Sequence, residues 1–195
     1  MCEAASRRFH GLPLGLFYLK DNIILIIGNK NAITYKEVFP LIRDNRLWVG
    51  VTPMGRDLLF GIPDDRAAAL QATGREGSAW RMVGSAVMGR AQAVWFSNLP
   101  HSKRNEELVL WKTYSPEEFP AYDNYDAIEV SKVAHIPADY PGAMGVPITF
   151  LDKYNPEQFE LIGNERTVGK SRFVLSGRQL YARLLIRNRH PQTAG

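Results

Sequence analysis

The chain has 195 residues, 45% of them hydrophobic, which is enough for one domain with a sizeable core. Lys and Arg number 24 against 20 Asp and Glu, a formal charge of +4 that permits a polyanionic partner without requiring one. Cys2 is the only cysteine and the four histidines, at 10, 101, 135 and 190, show no ligand spacing; this excludes an intramolecular disulfide and a cysteine metal site, and suits a reducing cytoplasm.

Near the start, the apolar stretch 11–19 follows Arg7 and Arg8 like a signal peptide, yet Lys20, Asp21 and Asn22 follow it with no small-residue cleavage site. No run approaches the ~18 apolar residues of a membrane span. Residues 23–27, "IILII", form an aliphatic run ending at Gly28, the pattern of a strand buried on both faces in a parallel sheet. Thr34 precedes Glu37 by three residues, a capping box for a helix running to about Asn45, with Pro40 predicting a kink or a second short helix. Residues 46–51, "RLWVGV", are the next strand. Strand, helix and strand in this order predict a βαβ unit of an open α/β sheet. Ligands of such sheets bind beyond the carboxyl ends of the strands, which puts Gly28, Asn29, Lys30 and Asn31 on the functional rim.

Strands are also predicted at 57–63, 91–99 and 106–114, the last two joined by the basic loop "PHSKRN". Residues 64–90 are Ala-, Gly- and Arg-rich with weak periodicity, the mark of an inserted, mobile segment. From 115 to 147 the chain is rich in Pro, Tyr and Asp, an irregular layer laid over a core. In "MGVPITF" (144–150), Val146, Ile148 and Phe150 alternate, so the string reads as a short strand walling a site. Residues 178–187, "RQLYARLLIR", are the final strand.

The strings "LIIGNKNAITYKEVFPLIRDNRLWVGV", "YDNYDAIEV", "IPADYPGAMGVPITFLDKYNPEQFELIG" and "LYARLLIR" together resemble the carboxyl-terminal part of the EcoRI-type adenine-specific DNA methyltransferases. The similarity spans most of 20–163 and 178–187, is weak over 53–90 and absent over about 1–16. It implies an α/β fold: the later strands of a Rossmann-like methyltransferase sheet in residues 1–114, with the variable insertion at 64–90. Residues 115–195 become an irregular, DNA-facing region packed on the same domain. The implied reaction moves a methyl group from S-adenosylmethionine to the N6 amine of an adenine in double-stranded DNA, which must leave the base stack to be reached. Family members grip the flipped base with an Asn-Pro-Pro-Phe motif, whose Asn side chain and a proline carbonyl accept from the amine while the aromatic ring stacks.

Residues 1–19 contain no Asn-Pro pair, so no catalytic residue is assigned, and the strands that carry the cofactor in the family are not found upstream. The expectation is a truncated enzyme inactive alone. The alternatives are a non-catalytic DNA-binding module and one half of a split enzyme completed by an amino-terminal polypeptide. Asn155, Pro156 and Phe159 imitate the motif, but Glu157 replaces the second proline; a turn into a short helix, capped by Asn155, fits them better.

The remaining candidates each have a structural alternative. Asn29, Lys30 and Asn31 either line a cofactor or base pocket or turn the chain. Trp48 either stacks on adenine or packs in the core. His101, Lys103 and Arg104 suit phosphate contacts or a solvated hairpin loop. Arg183, Arg187 and Arg189 either extend a basic patch or face water. Asp123, Asn124, Tyr125 and Asp126 do not fit a calcium loop and read as a turn. No Walker loop or Gly-x-Ser-x-Gly elbow is present.

Overall fold

The computed structural model describes residues 17–20, 23–50, 54, 58–77, 79–169 and 172–193. Strand β1 (Phe17–Lys20) forms an antiparallel hairpin with β2 (Ile23–Asn29). Strand β2 is half-buried along most of its length, not buried on both faces: Ile24 and Ile26 pack on the core, as a period of two dictates. Asn29 ends it by turning the chain into a 3₁₀ helix, Lys30–Thr34, its side chain accepting from the Asn31 N–H at 2.9 Å. The capping box does not form, because the Thr34 hydroxyl donates to the Asn31 carbonyl instead. Helix α1 (Phe39–Arg43) is the second short helix, with Pro40 in its first turn, where the missing N–H has no intrahelical partner to lose. Asn45, at φ 52°, then turns the chain.

The 46–51 stretch makes one bridge rather than a strand: Trp48 and Ser97 exchange N–H···O bonds of 2.7 and 2.9 Å. Strand β3 (Leu58–Gly61), helix α2 (Asp64–Gln71), β4 (Trp80–Val83) and β5 (Ala86–Ala91) follow. The strands form an antiparallel sheet in the order β3-β5-β4. The predicted mobile insertion is thus largely a helix and a hairpin, its two-residue Gly84-Ser85 turn opening on Gly84 at φ 60°. Its periodicity is weak because α2 buries no side chain.

After Gln92 the chain continues as β6 (Ala93–Ser97), which pairs antiparallel with β2. Both β2 and the Trp48 segment run antiparallel to β6, so they run parallel to each other with β6 between them. The expected βαβ direction is present, but the two strands are separated by a third that arrives some fifty residues later.

Residues 106–114 are extended without a ladder. Side chains satisfy their backbone: Gln158 spans the Leu108 N–H and carbonyl at 2.8 and 2.7 Å, and Asp139 accepts from the Tyr114 N–H at 2.7 Å. The carboxyl-terminal region holds β7 (Ile128–Glu129), β8 (Ala143–Pro147), a 3₁₀ helix (Ile148–Lys153), β9 (Phe159–Asn164), β10 (Val174–Leu175), β11 (Arg178–Gln179) and β12 (Arg183–Asn188). Four of them form a sheet, β7-β8-β12-β9, antiparallel except for β7 beside β8. "MGVPITF" is therefore strand only to Pro147; Ile148 to Phe150 wind into the 3₁₀ helix, and Phe150 is fully buried. The final predicted strand is broken at 180–182, where Ala182 sits at φ 28°. "NPEQF" makes a turn, not a helix, with the Asn155 side chain accepting from the Glu157 N–H at 2.9 Å.

One hydrophobic core unites Val94 and Phe96 of β6, Phe39 and Ile42 of α1, and Met144, Val146, Leu161, Leu184 and Ile186 of the four-stranded sheet. A second cluster, with Tyr122, Phe173 and Leu185, contains Leu185 from the strand whose neighbours Leu184 and Ile186 face the first, so that sheet is covered on both faces. Among the described residues no helix is long and apolar enough to cross a membrane.

Candidate functional site

A cleft of about 710 Å³ opens where the carboxyl end of β2 meets the start of β12. Lys30 and Asn31 enter from the 3₁₀ helix after β2, Arg90 from the end of β5, Arg166 from the turn after β9, and Arg172 and Arg183 from the approach to β12. Glu165 is the single carboxylate among the described residues of this lining.

Each wall is fixed by its own hydrogen bonds. Asn164 is 4% exposed; its Oδ1 accepts from the Arg166 and Thr167 N–H groups at 3.0 and 3.1 Å, locking the turn that presents Arg166. Its Nδ2 is buried without a hydrogen-bond partner among the described residues. Arg183 is held from behind. Its guanidinium grips Glu129 through Nε at 3.0 and 3.1 Å and through Nη2 at 2.8 Å, and Tyr122 donates its hydroxyl to the same carboxylate. Burial works against the Arg183 charge, but the hydrogen bonds and charge of Glu129 outweigh it and raise its pKa. Burial, reinforced by the hydrogen bond to Glu129, pushes the Tyr122 phenol far above its ordinary range. Arg183 is thus largely committed to Glu129, and Arg90 donates Nη1 to the Gly77 carbonyl at 3.2 Å; Arg166 and Arg172 stand exposed on the lining. The cleft is a cationic surface suited to a polyanion.

Lys30, Asn31 and Arg183 are therefore brought together, as sequence reading grouped them only in part; Asn29 caps the 3₁₀ helix beside them. The other candidates lie elsewhere. Residues 98–105 sit at the amino end of β2, where the Asn98 side chain accepts from the Ile24 N–H, about 20 Å along the strand from the cleft at ~3.3 Å per residue. There Trp48 is 3% exposed, its ring 5.2 Å from that of His101. The Lys103 N–H donates to His101 Nδ1 at 3.1 Å. Arg104 spends its guanidinium on the carbonyls of Asn98, Leu99 and Asn45, at 2.7, 3.3 and 2.5 Å. It is a staple of the loop. Arg104→Ala should cost about 2–3 kcal/mol in urea unfolding, since charged hydrogen bonds to half-buried carbonyls are lost, and should leave the salt dependence of any DNA binding unchanged. Arg187 pairs with Glu160 at 2.8 Å on the exposed far part of β12, and Arg189 donates to the Pro156 carbonyl.

Asn155 is 8% exposed and has both ends of its amide bonded within the chain, Nδ2 donating to the Asn105 carbonyl at 3.0 Å and Oδ1 accepting from the Glu157 N–H, so it is turned inward and not presented to an adenine amine. Asp123 caps the Ser176 and Gly177 N–H groups at 3.1 and 2.7 Å, so the acidic "DNYD" string is a turn. No group of three His, Cys, Asp or Glu able to hold a metal exists among the described residues. Arg166 and Arg172 escaped the sequence reading, although Arg166, Lys170 and Arg172 form a basic run between two strands.

A family sequence model described as adenine-specific methyltransferase EcoRI matches residues 16–189. The chain belongs to the EcoRI adenine-specific methyltransferase family. It is 42% identical over 174 residues to the type II methyltransferase M.EcoRI of Escherichia coli, covering 88% of this chain and 52% of that protein. The type II methyltransferases M.MpnI of Mycoplasma pneumoniae and M.MgeORF184P of Mycoplasma genitalium are 35% and 34% identical over 147 and 140 residues, in each case 71% of this chain and 43% of theirs. The chain thus spans about half the length of these curated relatives. No solved structure matches it.

Type II methyltransferases generally use S-adenosylmethionine, and the cleft does not fit that cofactor. A sulfonium and an ammonium would face Lys30, Arg90, Arg166 and Arg172, and Glu165, the one carboxylate among the described lining residues, already accepts from the Arg183 N–H at 3.3 Å.

Proposed function

We propose that the chain binds duplex DNA through the cationic cleft and forms the DNA-facing part of a site-specific adenine-N6 methyltransferase of the restriction-modification type, acting in the cytoplasm. The observation that carries this is the excess of cations over carboxylates in one rigidly built cleft at a strand's carboxyl end. The order β2, β6, Trp48 segment, with its parallel pair joined through α1, supports reading this sheet as the later strands of a Rossmann-like methyltransferase sheet; such sheets tolerate an antiparallel member. The shared core supports residues 1–114 and 115–195 as one domain.

Methyl transfer needs the Asn-Pro-Pro-Phe grip and an S-adenosylmethionine site, and this proposal assigns both to segments other than those lining the cleft. The 195 residues contain Asn-Pro only at 155–156, where the amide is already occupied. The test is a titration of a labelled duplex with the purified chain at several salt concentrations, alongside a methyl-transfer assay. Affinity should fall with salt with a log–log slope of about −3 to −4, one unit per phosphate neutralised. No methyl group should reach DNA until a polypeptide carrying the grip is added. Salt-independent binding, or adenine labelling by the chain alone, would refute the proposal. If no such polypeptide restores transfer, the chain is a DNA-binding module without catalysis.

A further inference from the structure

Tyr181 is 73% exposed, yet the backbone that carries it is tied on both sides. Its carbonyl accepts from Arg183 Nη1 at 3.0 Å, so the buried Tyr122–Glu129–Arg183 chain ends on it. The preceding residue, Leu180, donates its N–H to the Phe173 carbonyl at 2.9 Å, and Phe173 stacks on Tyr122 at 5.1 Å. The following residue, Ala182, is held at φ 28°, a left-handed conformation that a side chain resists. The Ser176-Gly177 turn upstream is capped by the Asp123 carboxylate. A rigid mount that holds an aromatic ring out in solvent is poor use of a tyrosine for stability, since the ring buries little apolar area.

Tyr181 also lies on the rim of the cleft that Lys30, Arg166 and Arg172 line. An aromatic face beside cations that can track phosphates is the combination by which proteins hold unstacked nucleic acid, the charges following the backbone and the ring taking an open base face; in a duplex such a face is exposed where a base leaves the stack. We propose that Tyr181 is a positioning residue that stacks on a nucleobase of the bound DNA, fixing the duplex over the cleft while Arg166 and Arg172 hold flanking phosphates. This rests on the DNA reading above. It adds a contact that salt does not weaken, because stacking releases no counterions.

The experiment compares the 195-residue chain with Tyr181→Ala and Tyr181→Phe, using duplexes that carry 2-aminopurine at successive positions. The melting temperature of each variant is checked first and should match the unaltered chain, since the ring is exposed. Tyr181→Ala should bind duplex about 5- to 100-fold more weakly with the same salt slope, and should lose a fluorescence change that the unaltered protein produces at one 2-aminopurine position. Tyr181→Phe should restore affinity and fluorescence change. If the unaltered chain binds no duplex, the DNA reading fails and this inference with it. If it binds and Tyr181→Ala binds equally well, or if the salt slope alone changes, only this inference fails.

Discussion

Glu129→Ala should destabilise the protein by about 3–5 kcal/mol, the range for a buried charge deprived of its partner. The side chains of Glu129 and Arg183 are 7% and 18% exposed, so water screens the pair poorly. Removing the carboxylate strands the Arg183 guanidinium beside the Tyr122 hydroxyl, which belongs to a cluster with Ala127, Ala143, Phe173 and Leu185. Glu129→Gln keeps the shape and an acceptor and should cost less. Tyr122→Phe should cost only about 1 kcal/mol, because Glu129 keeps its three guanidinium bonds. The pH dependence has a definite sign. The Tyr122 pKa is raised in the folded state, so below the ordinary phenol pKa of about 10 both states are protonated and stability does not respond to it. Above that pH the unfolded chain loses the proton while the folded one keeps it, and stability falls as pH rises. Urea unfolding from pH 7 to 11 should show this alkaline loss, reduced in Tyr122→Phe. A Glu129→Ala variant within 1 kcal/mol of the unaltered chain would show that the network is solvated rather than buried.

What the sequence discloses here is set by the distance over which each feature is decided. The strand at 23–27 is written in five consecutive aliphatic residues and appears where expected. Its neighbours are not written there: Ile26 pairs with Phe96, seventy residues on, and no local signal says that β6 will lie between β2 and Trp48. The same limit applies to "MGVPITF", whose alternation predicts a strand through Phe150, while Pro147, lacking an N–H, ends the ladder and the chain winds inward. Other misses were legible. Gly84-Ser85 is a two-residue hairpin signal inside a segment read as mobile, and it folds as such.

Charged residues divide in the same way. Arg104 in "PHSKRN" has the composition of a phosphate-binding loop, yet the nearby Asn98 and Leu99 carbonyls and that of Asn45, fifty-nine residues away, capture it. Arg183 alternates outward in the sequence, and Glu129, fifty-four residues away, claims it. Lys30 and Asn31 could be placed at the rim by a rule about strand ends, which depends on topology in general and not on any partner in particular.

Reversing both Arg166 and Arg172 to Glu should nearly abolish duplex binding, by about 100-fold or more at moderate salt, with the log–log salt slope shallower by about 2. The two residues are exposed and line the same cleft. Arg166 is presented by a turn whose hydrogen bonds come from the Asn164 side chain and backbone, not from its own guanidinium, so the reversal should leave the fold intact. Lys103→Ala, at the other end of β2, and Arg187→Ala, whose guanidinium faces Glu160, should change affinity by less than about threefold and leave the slope alone. The comparison separates a cleft that recognises DNA from a chain whose overall charge of +4 merely attracts it: general attraction would respond similarly to each charge removed, wherever it lay, whereas a built site responds to position. Equal losses from Arg166→Glu and Lys103→Glu would therefore count for general attraction and against the cleft.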